Sequence, residues 1–207
     1  MKERIRYVEP GDEDRFNDQV TLGLACLYSL PGIPCIYYGT EQGLHGMGSD
    51  PAVREALWGI APTFPEDTLF YQEIRKFAAV RDEEPALRYG RVYFRPVSGD
   101  SNNFGVSAFP GGIFAWSRIL NDQEVVVAAN TNSALTQSVD VILERLLSAS
   151  GDRFRILYSN NPKAIAPAPV NSLAEVSVAE VDGTTGRGPV NTLRVTLGPM
   201  EVQILRR

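Results

Sequence analysis

The apolar positions of this chain change rhythm once, near residue 85. Phe16, Val20, Leu24 and Leu27 recur at helical spacing, which predicts a helix beginning near Glu13 or Asp14 and ending at Ser29-Leu30, before Pro31. Ile33 to Tyr38 is then a short, wholly apolar run between Pro-Gly and Gly39. Without alternation it predicts a strand buried on both faces, the habit of parallel sheets. Gly39 to Pro65 reads as a long Gly- and Pro-rich loop, with a helical turn over Pro51–Trp58. Leu69, Phe70, Ile74, Phe77, Ala78 and Val80 form the stripe of a second helix, N-capped by Asp67 and closed by Pro85.

Beyond residue 86 the pattern becomes a series of short β-rich runs separated by turn clusters. The runs are Arg91–Val97, Gly105–Phe109, Ile113–Leu120, Glu124–Ala129, Gln137–Leu143, Phe154–Tyr158, Leu173–Val181, Asn191–Leu197 and Glu201–Leu205. Pro162–Pro169 and Asp182–Pro189 read as exposed loops. So many strands with no intervening helix predict an antiparallel sandwich or barrel. The first half is different, because one doubly buried strand needs parallel neighbours that this chain does not offer.

Charge and composition narrow the function classes. Twenty basic against 25 acidic residues leave a net charge of −5, so there is no electrostatic case for nucleic acid or an anionic membrane. The stretch from Gln19 to Thr40 is uncharged, yet Pro31, Gly32 and Pro34 break it, so it does not read as a membrane span. Glu9–Asp14 separates the early basic residues from that run, unlike a signal peptide. Any leader would lie upstream, and the cytoplasm is the favoured compartment. Cys26 and Cys35 read as buried free thiols.

Few residues suggest chemistry of their own. His45 is the only histidine, which excludes a multi-histidine metal centre and makes a Ser-His-Asp site a poor fit. No metal site or cofactor is expected. Gly43, Gly46 and Gly48 lack the strand-GxxxxGK-helix setting of a phosphate loop. Glu9, Asp12, Glu13 and Asp14, like Asp82, Glu83 and Glu84, read as solvated charge clusters. Trp116 with Tyr93 and Phe94 could form a sugar-stacking platform, although strand aromatics more often fill a core.

The segment PGIPCIYYGTEQGL, Pro31 to Leu44, resembles the last barrel strand of the α-amylase family of glycoside hydrolases. Further pieces follow in the matching order. Asp18–Leu30 is similar to the helix before the eighth strand, and Val53–Trp58 to the Arg-containing, Trp-ended motif after it, departing from the common Arg-Pro-Met form at Glu55-Ala56. Phe70–Gly90 is similar to the last barrel helix and its exit.

The resemblance implies an α+β fragment. Residues 1–85 would be a remnant of the last α/β units of a (β/α)8 barrel, and 86–207 an all-β antiparallel sandwich, domain C. Family members use a carboxylate nucleophile and a carboxylic acid/base about 5 Å apart, with a third Asp, all on barrel strands upstream of the matching region. The resemblance therefore implies no catalytic residue in this chain, and no activity from it alone. In an intact parent acting on α-glucan or oligosaccharide, Tyr37, Tyr38, Glu41, Arg54 and Trp58 are the candidate substrate contacts. The competing reading is a stand-alone carbohydrate-binding or interaction sandwich. An isolated doubly apolar strand also predicts self-association through residues 13–40.

Overall fold

The computed structural model describes residues 13–44, 56–58, 64–106, 112–179 and 182–207. Among the described residues three helices precede the strands: α1 (Glu13–Ser29), α2 (Leu69–Glu83) and α3 (Pro85–Tyr89). The strands are β1 (Arg91–Phe94), β2 (Val97–Ser98), β3 (Asn103–Gly105), β4 (Ile113–Leu120), β5 (Gln123–Asn130), β6 (Gln137–Ile142), β7 (Arg155–Ser159), β8 (Asn171–Ala179), β9 (Thr185–Leu197) and β10 (Val202–Arg206). No described helix is long and apolar enough to cross a membrane.

The strands form two sheets. One is a five-stranded antiparallel sheet in the order β1-β4-β5-β10-β7; the other closes on itself as β2-β3-β8-β9-β6. Strand alternation sorts the side chains into two cores. Val126 and Ala128 of β5, with Ile113, Ala115 and Leu205, meet Val97, Val139, Val141, Leu193 and Val195 between the sheets. Val125, Val127 and Ala129 point the other way, with Trp116, Val202 and Ile204, onto Leu24, Ala25, Phe70, Phe77, Ala86 and Leu87 of the helices. The first sheet is thus a middle layer, covered by helices on one face and by the second sheet on the other.

Polar anchors join these layers. The Arg118 guanidinium, 1% exposed, donates to the Ser29 carbonyl at 2.7 Å and the Gly90 carbonyl at 2.8 Å. Arg81 donates to the carbonyls of Tyr28 (2.6 Å), Leu87 (2.8 Å) and Gly32 (2.6 Å). Two cations thereby satisfy carbonyls at the end of α1, where helical partners run out and the helix dipole is negative. Burial, and after it a neighbouring like charge, lowers the pKa of each guanidinium: Arg88 acts on Arg81, and Arg81 on Arg118.

Several sequence expectations are corrected. Ile33–Tyr37 is irregular and joins no strand among the described residues, Tyr38 begins a turn, and the segment is largely exposed, with Ile33 at 94% and Tyr37 at 64%. The flanking strands that would bury it are absent from the described residues. Cys35 on this segment is consequently exposed rather than buried, while half-buried Cys26 has its thiol pKa pushed up to about 11 by desolvation; both are free. Thr68, not Asp67, caps α2, its hydroxyl accepting from the Tyr71 amide at 3.3 Å. Pro85 does not merely close α2; it starts α3, where its missing N–H costs nothing.

Glu84 is buried at 3%, not solvated, and receives Arg206 at 2.7 Å and Gln123 at 3.3 Å. The stretch Thr185–Pro189, read as loop, is the start of the long β9 hairpin arm against β8. One pairing, β3 with β8, is parallel, where antiparallel pairing was expected throughout. The expected loop over 162–169 is present, and Ile113–Leu120 has the bounds read from the sequence.

Candidate functional site

Four side chains of the predicted site fall among the described residues: Tyr37, Tyr38, Glu41 and Trp58. Arg54 and His45 lie outside them. Past Tyr37 the chain folds into a compact turn, with Gln42 N donating to Gly39 O at 3.1 Å, Gly43 N to Thr40 O at 3.0 Å and Leu44 N to Gly39 O at 2.9 Å. Gly39 is required here. Its φ of 84° is left-handed, and a Cβ there would meet Leu44 Cδ1 at 2.9 Å. The turn is tied to the second helix, since Thr68 Oγ1 donates to Glu41 O at 2.5 Å and Gln42 Nε2 to Pro65 O at 3.1 Å. The residue that caps α2 therefore also holds the loop that carries Glu41.

The turn and α2 enclose an open cleft of about 440 Å³ lined by Ile36, Tyr38, Glu41, Tyr71, Ile74 and Arg75. Tyr37 and Tyr38 lie side by side, ring centroids 4.8 Å apart and planes tilted by 43°. Their exposed faces offer apolar area with a polar tip, which suits a ring bearing hydroxyl groups on its rim. The structure thus brings Tyr38 and Glu41 together in the cleft and keeps Tyr37 adjacent. Trp58, 75% exposed, stacks on no other described ring.

Tyr71 and Arg75 were not expected here. They stand four apart on α2, so one face of that helix presents both with Ile74, but nothing local in the sequence places that face against the turn. The alternative platform on the sandwich is not assembled. Trp116 is fully buried, and Tyr93 and Phe94 are successive residues of β1 and point to opposite faces.

The buried carboxylates are all engaged internally. Among the described residues they are Glu73, Glu84, Glu124, Asp140 and Glu201. Glu73 accepts from Tyr158 at 2.5 Å and Lys76 at 2.8 Å. Arg95 at 2.8 Å and Ser117 at 2.6 Å hold Glu124, and Arg194 at 2.8 Å and Ser101 at 2.5 Å hold Asp140. Glu201 receives Gln203 at 2.7 Å, Gly198 N at 2.7 Å, Asn161 at 2.8 Å and Ser159 at 3.0 Å. Acids engaged in this way tie helices to strands, as Glu73 and Glu84 do, and strands to one another.

No protein-family model matches the chain. It is 31% identical over 143 residues to the cyclomaltodextrin glucanotransferase of Geobacillus stearothermophilus, a match covering 66% of this chain and 18% of that protein. The chain thus spans about a fifth of the length of the curated relatives it matches. Among solved structures, a debranching enzyme from Nostoc punctiforme superposes with a TM-score of 0.58 at 24% identity, over 92% of this chain and 31% of that one. A cyclomaltodextrin glucanotransferase described as having a three-domain ABC distribution gives 0.58 at 23% identity, over 92% and 32%.

Proposed function

From the premise that this chain is homologous to one part of the α-amylase-family glycoside hydrolases, cyclomaltodextrin glucanotransferases among them, we propose that it is the noncatalytic C-terminal part of such an enzyme. In this reading residues 1–85 are the end of the catalytic barrel, with Ile33–Tyr38 as its last strand, and 86–207 form domain C. The observation that carries it is the apolar Ile33–Tyr37 segment, which joins no strand among the described residues and follows directly on the Gly32 carbonyl that Arg81 holds. Such a segment is stable in water only when neighbouring strands cover it. Exposed in the isolated chain, it is also the surface through which copies would associate.

The sandwich supports the barrel through the shared core of α1, α2 and the middle sheet. The substrate of the whole enzyme is an α-glucan, and Tyr37, Tyr38, Glu41, Arg54 and Trp58 contact it at the mouth of the barrel. The saturated state of the buried carboxylates supports the absence of catalysis within this chain. The experiment compares turnover of a maltooligosaccharide panel by this chain and by the chain extended upstream through a whole barrel. Activity confined to the extended protein is expected; turnover by the 207-residue chain itself would overturn the proposal.

A further inference from the structure

The segment that carries Tyr37 and Tyr38 is bracketed by two left-handed glycines, Gly32 at φ 115° and Gly39 at φ 84°. Backbone of that kind swings freely unless something holds it on either side. Both holds come from α2. At its start the Thr68 hydroxyl donates to Glu41 O at 2.5 Å, and near its end the Arg81 guanidinium donates to Gly32 O at 2.6 Å. Thr68 and Arg81 are thirteen residues apart, about 20 Å at the helical rise. α2 is thus a strut, and Ile33–Tyr38 is strung between its ends, with Ile36 packed on the helix core midway.

The Gly32 end is held by more than one bond. Arg81 also donates to Tyr28 O at 2.6 Å and Leu87 O at 2.8 Å, and Arg118 of β4 donates to Ser29 O at 2.7 Å. The carbonyls on either side of Leu30-Pro31 are therefore gripped together, from the helix layer and from the middle sheet. Arg118 in turn rests on Gly90 O, through Nη2 at 2.8 Å and Nε at 3.2 Å, where the chain enters β1. Neither guanidinium pairs with a carboxylate of the described residues. Burying a cation without a counter-ion costs desolvation that an apolar side chain of the same size avoids. Packing alone is met by an apolar side chain at either position; what arginine adds is a planar fork that reaches several carbonyls at set angles.

We infer that Arg81 and Arg118 are positioning residues for the candidate site: they fix the angle at which the chain leaves α1, and with Thr68 they set where Tyr37, Tyr38 and Glu41 stand before any neighbouring strand packs on them. The sandwich, through Arg118, thereby acts on the site without touching it. That the segment is a barrel strand whose side chains meet glucan rests on the proposed function; the clamp itself does not.

The test uses the full chain with a nitroxide on Cys35, inside the strung segment. Cys35 is exposed, whereas Cys26 is half-buried and its thiol stays protonated, so a thiol-directed label goes to Cys35. In the parent chain the label is expected to show slow, restricted motion and to broaden the amides of Tyr71, Ile74 and Arg75 on the facing side of α2. Arg81→Met should lose both the slow spectral component and the broadening, and Arg118→Met should do the same. Arg81 is partly exposed, so its variant decides the matter if the substitution at fully buried Arg118 does not fold. Tyr158→Phe weakens the hold between α2 and β7 without touching the clamp, and is expected to leave the label unchanged. A label already mobile in the parent, or a spectrum and broadening that survive Arg81→Met, overturns the inference. Equal loosening by Tyr158→Phe overturns it too, since the effect would then be one of general stability. Failure of the upstream-extended protein to turn over glucan would instead strike the proposed function and leave the label result standing.

Discussion

Tyr158 shows how much a single side chain carries in the layered core. Its ring packs on Phe77 with centroids 4.3 Å apart, and its hydroxyl donates to buried Glu73 at 2.5 Å, so one residue of β7 holds α2 by both apolar and polar contact. Burial first, and then the Glu73 carboxylate, raise the phenol well above its ordinary pKa of 10.0. The folded chain thus keeps a proton that the unfolded chain releases near pH 10. This contribution is whole below that pH and is lost as pH rises above it. Tyr158→Phe should cost about 1.5 kcal/mol in urea unfolding at pH 7 and flatten the decline of stability above pH 10. Some slope remains, because burial raises Tyr28 as well. An unchanged alkaline slope would remove Tyr158 from this role.

At the level of elements, Thr68 joins two functions, capping α2 and anchoring the Glu41 turn. Thr68→Ala should cost about 1–2 kcal/mol in thermal unfolding and speed proteolysis within 39–44. Equal cleavage rates in variant and parent would show that the turn holds itself. The helices and most strands were legible because their signals are local: apolar spacing for α1 and α2, and β-rich runs between turn clusters for the sheets. Ile113–Leu120 has the bounds its pattern implies. What stayed hidden depends on partners distant in sequence. A charge run does not disclose that Glu84 is buried under Arg206, 122 positions away. Nor could the parallel β3–β8 pair or the β8 bulge be read, since both are properties of register. In the candidate site, Tyr37, Tyr38 and Glu41 were readable from the motif, whereas Tyr71 and Arg75 enter only because α2 lies across the turn.

For the whole molecule, the composition break near residue 85 does not coincide with a break in packing. The helices before it and the middle sheet after it share one core, in which Leu24, Phe70 and Phe77 touch the face formed by Trp116, Val127 and Ile204. A surface that would serve a larger enzyme is therefore carried on a body with its own hydrophobic interior, and Ile33–Tyr38 is the part left uncovered. An apolar run without alternation signals burial on both faces, but in this chain the covering strands are not among the described residues. The direct measurement is hydrogen exchange at the amides of Ile33, Cys35, Ile36 and Tyr37, in this chain and in the protein extended upstream through a complete barrel. Exchange near the unprotected rate is expected in the chain alone, with slowing on the order of a thousandfold in the extended protein. Equal rates in the two would contradict the assignment of this segment as a barrel strand.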